Sequence, residues 1–114
     1  MSDACIFCRI AAKDVPATIV HEDDDVVAFR DLSPLAPTHV LVIPKRHIAS
    51  LDDVVASDAP LLGAMMLAAQ GVAAASGLAA GYRIVTNCGV HAGQSVSHIH
   101  FHVLGGRPMA WPPG

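Results

Sequence analysis

"SHIHFHVLGG", residues 97–106, decides the fold and poses the first chemical question. His98, His100 and His102 alternate with Ile99, Phe101 and Val103, the period of a β-strand. The three imidazoles therefore share one face and the apolar side chains the other. Successive histidines stand about 6.6 Å apart, twice the strand rise. Two such rings can ligate one metal on a curved strand, whereas three in a row cannot reach one ion without distortion. A row of rings titrating near neutrality also suits phosphate chemistry: one ring attacks while a flanking imidazolium offsets charge on the non-bridging oxygens. Upstream, "NCGVHAGQS" (87–95) brings Gly89 and Gly93 together with Asn87, Gln94 and Ser95. It reads either as a glycine loop aiming backbone N–H groups at an anion or as a plain turn.

Working outward, "YRIVTN" (82–87) is a further strand, and "THVLVIP" (38–44), β-branched and closed by Pro, is a candidate central strand. "TIVHEDDDVVAFRD" (18–31) reads as two short strands with Asp23–Asp25 as the hairpin turn. Residues 5–12 form a short helix ended near Val15-Pro16. A long helix begins near Ser57 or Asp58, with Pro60 in its first turn, and stops at Gly77 or Gly81. The class is α+β: an antiparallel sheet of about five strands, one long helix and one short N-terminal helix, in one domain over 1–114.

Between Pro60 and Ala75 only Gln70 is clearly polar, so the long helix is apolar all round. Such a helix is normally buried on every side. On a single sheet its outer face would meet water, which predicts a homodimer, helix against helix, with Gly63 and Gly71 allowing close approach. The uncharged run Ala59–Ala75 is short for a membrane span and rich in Ala and Gly, and no membrane partner is expected. A net charge of −3 argues against a nucleic-acid-coating surface. Three cysteines and no secretory pattern in "MSDACIFCRIAAKD" predict a cytoplasmic protein with reduced thiols.

Cys5 and Cys8 form a Cys-x-x-Cys. A redox pair of the thioredoxin kind would need a βαβ context that is missing here. Two unrelated buried cysteines, or half of a structural zinc site completed by two histidines, remain as readings.

His-Ile-His-Phe-His-Val-Leu resembles the His-φ-His-φ-His-φ-φ signature of the histidine-triad (HIT) superfamily, φ being apolar. "AFRDLSPLAPTHVLVIPKRHI", "GYRIVTN", "AGQSVSHIHFHVLGGR" and the terminal "WPPG" are similar, in order and spacing, to its Hint branch. The resemblance implies a dimeric HIT fold that cleaves purine nucleoside 5′-monophosphoramidates through a nucleotidyl-histidine, with no metal needed for catalysis. It makes His100 the nucleophile, sets His102 against the non-bridging oxygens and has Ser95, Gln94, Gly93 and Asn87 hold the phosphate and leaving group. Asp31 would accept the ribose hydroxyls, and Ile6, Phe7, Ile10, Phe29 and Leu32 would wall the base, although each of these five could equally be core. Trp111 would reach the partner subunit's site. Cys5, Cys8, His47 and His98 would hold a structural Zn²⁺, with His39 lying near the triad. Ser97, Cys88 and His91 depart from residues common in relatives, so the leaving group is left open. Two other readings stand beside this one: a nucleotide-binding interaction module, and a dinucleoside polyphosphate hydrolase.

Overall fold

A computed structural model describes residues 4–114. The chain runs α1 (Ile6–Ala11), β1 (Ile19–Glu22), β2 (Val26–Arg30), β3 (Thr38–Pro44), α2 (Ala59–Ala75), β4 (Tyr82–Val85) and β5 (Phe101–Gly105), with short 3-10 turns at Leu51–Asp53, Ala56–Asp58 and Val90–Ala92. The strands form one antiparallel sheet in the order β1-β2-β3-β5-β4, which puts "THVLVIP" at its centre as expected.

The sheet carries apolar side chains on both faces, sorted by the two-residue period. Val26, Ala28, Val40, Val42, Ile99, Phe101 and Val103 pack with Met65, Ala69 and Val72 of α2. Val27, Phe29, Leu41 and Ile43 pack on the opposite side with Phe7 and Ile10 of α1. A strand covered on both faces has no polar alternation to show, which is why β3 reads as a continuous apolar run. The three histidines share the α1 side, so α1 and the histidine row are neighbours through the pleat of the sheet.

Local chemistry sets the ends. The β1–β2 turn closes as Asp23 Oδ1 accepts the N–H groups of Asp25 and Val26, both at 2.9 Å. Asp58 occupies the N-cap position of α2, yet its carboxylate accepts Val55 N–H at 3.0 Å and pairs with Arg46 instead of capping the helix. At the other end Gly77 takes φ +71° and Leu78 N–H bonds Ala73 O at 3.1 Å, the glycine stop expected from sequence. Along α2, Met65, Ala68, Ala69, Val72 and Ala73 are buried while Met66 and Leu67 are exposed. The stretch Ala56–Ala75 is apolar and long enough to cross a membrane by composition, but here its inner side forms the core against the sheet.

One expectation shifts. Regular pairing of the last strand begins at Phe101 rather than Ser97, because residues 98–100 bond outside the ladder: Ile99 N–H to Ile48 O at 2.7 Å, and Thr86 Oγ1–H to His100 O at 2.8 Å. The paired glycines that follow the histidines serve packing. A Cβ on Gly105 would stand 2.6 Å from Leu78 Cδ1, and Gly106 combines φ +94° with a would-be Cβ 2.8 Å from Pro37.

Candidate active site and metal centre

A neutral imidazole has one N–H and one lone pair, and a hydrogen-bond partner on one nitrogen fixes the role of the other. Each triad histidine is fixed differently. His98 is fully buried, and its Nε2–H donates to Pro44 O at 2.9 Å, leaving the lone pair on Nδ1. His100 donates Nδ1–H to His98 O at 2.7 Å, leaving the lone pair on Nε2. His102 takes its assignment from His39. Leu35 N–H donates to His39 Nδ1 at 3.0 Å, so the His39 proton sits on Nε2 and is given to His102 Nδ1 at 2.9 Å. The proton of His102 is therefore on Nε2. Sheet register explains this long-range link: His39 pairs with Leu104 and Leu41 with His102, so the two histidines are diagonal neighbours on one face.

Burial favours the neutral form of His39, His98 and His102. Desolvation pushes His102 down to about 4, with the charges of His100 and His39 adding to the shift and Asp31 opposing it. Burial likewise lowers His39 against a raising effect of Asp31. It lowers His98 too, opposed by the Pro44 carbonyl and reinforced by His47 and His100. The flanking imidazolium expected from sequence is therefore replaced, in the free protein, by a neutral N–H donor at His102.

His100 and His102 line a cleft of about 280 Å³ together with Asp31, Ser95 and an apolar wall. That volume is near the roughly 300 Å³ lower bound of small-molecule sites. Ile6, Phe7, Ile10, Phe29 and Leu32 all border it. Phe7, Ile10 and Phe29 are also core, whereas Ile6 and Leu32 are exposed, so the two readings of these residues coexist. The Phe7 ring stands edge-on to His100 at 5.1 Å between centroids. Asp31 Oδ1 accepts Ser33 N–H at 2.8 Å, and its Oδ2 lies 3.5 Å from His39 Nε2.

Asn87, Gly93, Gln94 and Trp111 are absent from the lining of this cleft. Gln94 holds its loop shut: Oε1 accepts Gly89 N–H at 2.9 Å while Nε2–H reaches Ala49 O at 2.8 Å and Val96 O at 3.0 Å. The amides of Ala92, Gly93 and Gln94 also donate within the loop, to Gly89 and Val90 carbonyls. Of the two readings of this loop, the plain turn is the one these bonds favour, since the N–H groups of Gly89, Ala92, Gly93 and Gln94 are all used to close it. Trp111 is 81% exposed, 5.9 Å from the guanidinium of Arg83, which donates to Ala110 O at 2.8 Å. Thr86, Pro44, Ile48 and Ala49, which anchor the histidine row and its loop, carry no sequence signal, because backbone carbonyls do three-quarters of that work and any residue supplies one.

The four expected metal ligands converge. Cys5 Sγ lies 3.3 Å from His98 Nδ1, Cys8 Sγ 3.3 Å from His47 Nδ1 and 3.5 Å from His98 Nδ1, and the two Nδ1 atoms are 3.1 Å apart. A tetrahedral ion with bonds of about 2.3 Å to sulfur and 2.0 Å to nitrogen requires ligand separations of about 3.3–3.8 Å. The set fits in distance and in chemistry, since the Pro44 carbonyl leaves His98 Nδ1 unprotonated. A second group, Asp31, His39 and His102, is equally tight, with ligand atoms within 4.8 Å of one another. It does not fit a metal: Leu35 N–H occupies His39 Nδ1, so the nitrogen that would have to ligate carries the proton.

A fold of this order, with the histidine row buried against its central strand, defines a class that comparison with known proteins identifies. A family model described as "Scavenger mRNA decapping enzyme C-term binding" matches residues 4–110. A HIT-like protein of Synechococcus elongatus is 51% identical over the whole of both chains. A HIT family hydrolase from Legionella pneumophila superposes with a TM-score of 0.95 at 52% identity, covering 96% of this chain and 99% of that one. Another, from Clostridium thermocellum, gives 0.94 at 47% identity and 96% of each chain. The chain belongs to the histidine-triad family, and its fold is that of HIT family hydrolases.

Proposed function

We propose that this chain hydrolyses the P–N bond of purine nucleoside 5′-monophosphoramidates through a nucleotidyl-His100 intermediate. The observation that carries the reading is the 2.7 Å bond from His100 Nδ1–H to His98 O, which leaves Nε2 as a fixed nucleophile in a ring bordering the cleft. Nε2 attacks the α-phosphorus, the P–N bond breaks, and the amine leaves with a proton. Water then attacks the nucleotidyl-histidine, releasing the nucleoside monophosphate and restoring the lone pair. The neutral His102 Nε2–H donates to a non-bridging oxygen, Ser95 attends the leaving nitrogen, and Asp31 accepts from the ribose while the apolar wall takes the purine. Asn87, Gly93 and Gln94 act here as the frame that holds Ser95.

Cys5, Cys8, His47 and His98 would hold a Zn²⁺ of structural type, cross-linking α1 to the segment after β3 and to the triad strand. We further infer a cytoplasmic location, from the cysteine usage, and a homodimer, supported by the exposed Met66 and Leu67 on α2 and by open space above Gly63 and Gly71. Trp111 would meet the partner's cleft. Sedimentation should then give twice the 11.8 kDa chain mass, with Leu67→Glu reducing it to one.

The decapping-enzyme description of the matched family favours a second reading, cleavage of a nucleotide phosphoanhydride such as a dinucleoside polyphosphate. The test is to mix protein with adenosine 5′-phosphoramidate, quench within milliseconds and measure intact mass. One adenylate per chain, absent in His100→Ala, is expected. Turnover surviving His100→Ala would reject the mechanism, and faster turnover of a dinucleoside polyphosphate would favour the second reading. Nucleotide binding without any turnover would indicate an interaction module.

A further inference from the structure

We propose that Cys5 and Cys8 are a hydroperoxide-sensitive thiol pair whose oxidation to a disulfide disengages the triad strand and slows nucleotidyl transfer; the proposal rests on the metal reading above. None of the three cysteines is in a disulfide, and Cys5 is partly exposed while Cys8 is only 1% exposed. Cys5 opens onto a cleft of about 420 Å³ bordered by Ile6, His47 and Ser95 to Ser97, which adjoins the His100 cleft and shares Ile6, Ser95 and Val96 with it. A small polar oxidant can therefore reach one sulfur of the pair and not the other.

The chemistry follows from that asymmetry. The Cys5 thiolate attacks one peroxide oxygen, the O–O bond breaks, and a sulfenic acid forms with release of hydroxide. The Cys8 thiolate then displaces the second hydroxide to give the disulfide. Two thiolates are oxidised by two electrons, and hydrogen peroxide with two protons becomes two waters. Cys5 and Cys8 are one turn apart, with Cys8 N–H donating to Cys5 Sγ at 3.4 Å, so closure needs no movement of distant chain. The disulfide removes both anionic donors, and two neutral imidazoles alone do not retain Zn²⁺.

Two routes carry the loss to the site. His98 would lose its metal and thiolate neighbours and keep the Pro44 bond and the His47 contact, and its carbonyl is the group that sets the tautomer of His100. Phe7, between the two cysteines, packs edge-on to both His98 (5.9 Å) and His100 (5.1 Å).

The experiment uses the reduced full chain, its zinc content measured first, then one equivalent of hydrogen peroxide per chain with a chromogenic chelator present. Expected are one zinc per chain, its release in step with loss of two thiols and about 2 Da of protein mass, and a roughly tenfold to hundredfold slower adenylate adduct. Dithiothreitol plus zinc should restore all of these, and Cys88→Ser should respond identically. Zinc that is present but retained under peroxide, or released without a disulfide, overturns the thiol pair and leaves the metal centre standing. Zinc released with an unchanged adduct rate overturns the coupling. A reduced chain that binds no zinc overturns the metal reading and this proposal with it.

Discussion

Two histidine clusters lie on the same side of the sheet and share the triad between them. Cys5, Cys8, His47 and His98 converge at 3.1–3.5 Å, and Asp31, His39 and His102 at 2.9–3.5 Å. Ligand type and spacing alone would pass both as metal sites. One hydrogen bond on the far nitrogen separates them. A carbonyl behind His98 takes its proton away from the cluster, whereas an amide behind His39 pushes the proton into it. The first cluster could hold a cation, and the second passes a hydrogen bond to His102, the ring beside the proposed nucleophile. The backbone, through groups that every residue has, decides what identical side chains do.

Breaking this contrast should have graded effects. His100 stands between the clusters, and His100→Ala should lower kcat/KM by about 10⁴-fold or more, measured by phosphoramidate turnover, because nucleophiles act as a unit with their surroundings. Within the metal cluster the effect falls on stability: Cys8→Ala should cost on the order of 3 kcal/mol, about 10 °C in Tm, while Cys88→Ala stays within about 0.5 kcal/mol. Within the relay it falls on catalysis. His39→Leu removes the donor to His102 Nδ1 and should lower kcat roughly tenfold to hundredfold, whereas His39→Gln, which keeps an N–H at that point, should recover most of it. A uniform loss in both variants would show that His39 acts by packing.

The smallest effect is on pH. His102, held down to about 4 by burial, and the lowered His39 and His98 bind fewer protons folded than unfolded below about pH 6.5. Stability should therefore be full above that value and fall as pH drops toward about 4. His102→Asn should flatten part of the fall in a melting series. A Tm that rises on acidification would contradict the neutral assignment.

The alternation of residues 98–103 made the histidine face legible, and the apolar run at 38–44 made the central strand legible, because a strand writes its two faces at a period of two. The helix at 59–75 hid its inward face, since Ala, Leu and Met on all sides leave no contrast to read. Gly105 and Gly106 answer to Leu78 and Pro37, which no local pattern announces. The His39–His102 contact depends on strand register across 63 residues, and the tautomers depend on carbonyls and amides. The family resemblance gave the members of the first cluster, the fold assembled the second, and only the folded backbone gave the protonation of both.

The most direct test is a long-range ¹H–¹⁵N correlation spectrum of ¹⁵N-histidine-labelled protein near pH 7, assigned with single His→Gln variants. The account predicts that His98 carries its proton on Nε2, His100 on Nδ1 and His102 on Nε2. A spectrum showing His100 protonated on Nε2 would remove the fixed nucleophile and contradict the account at its centre.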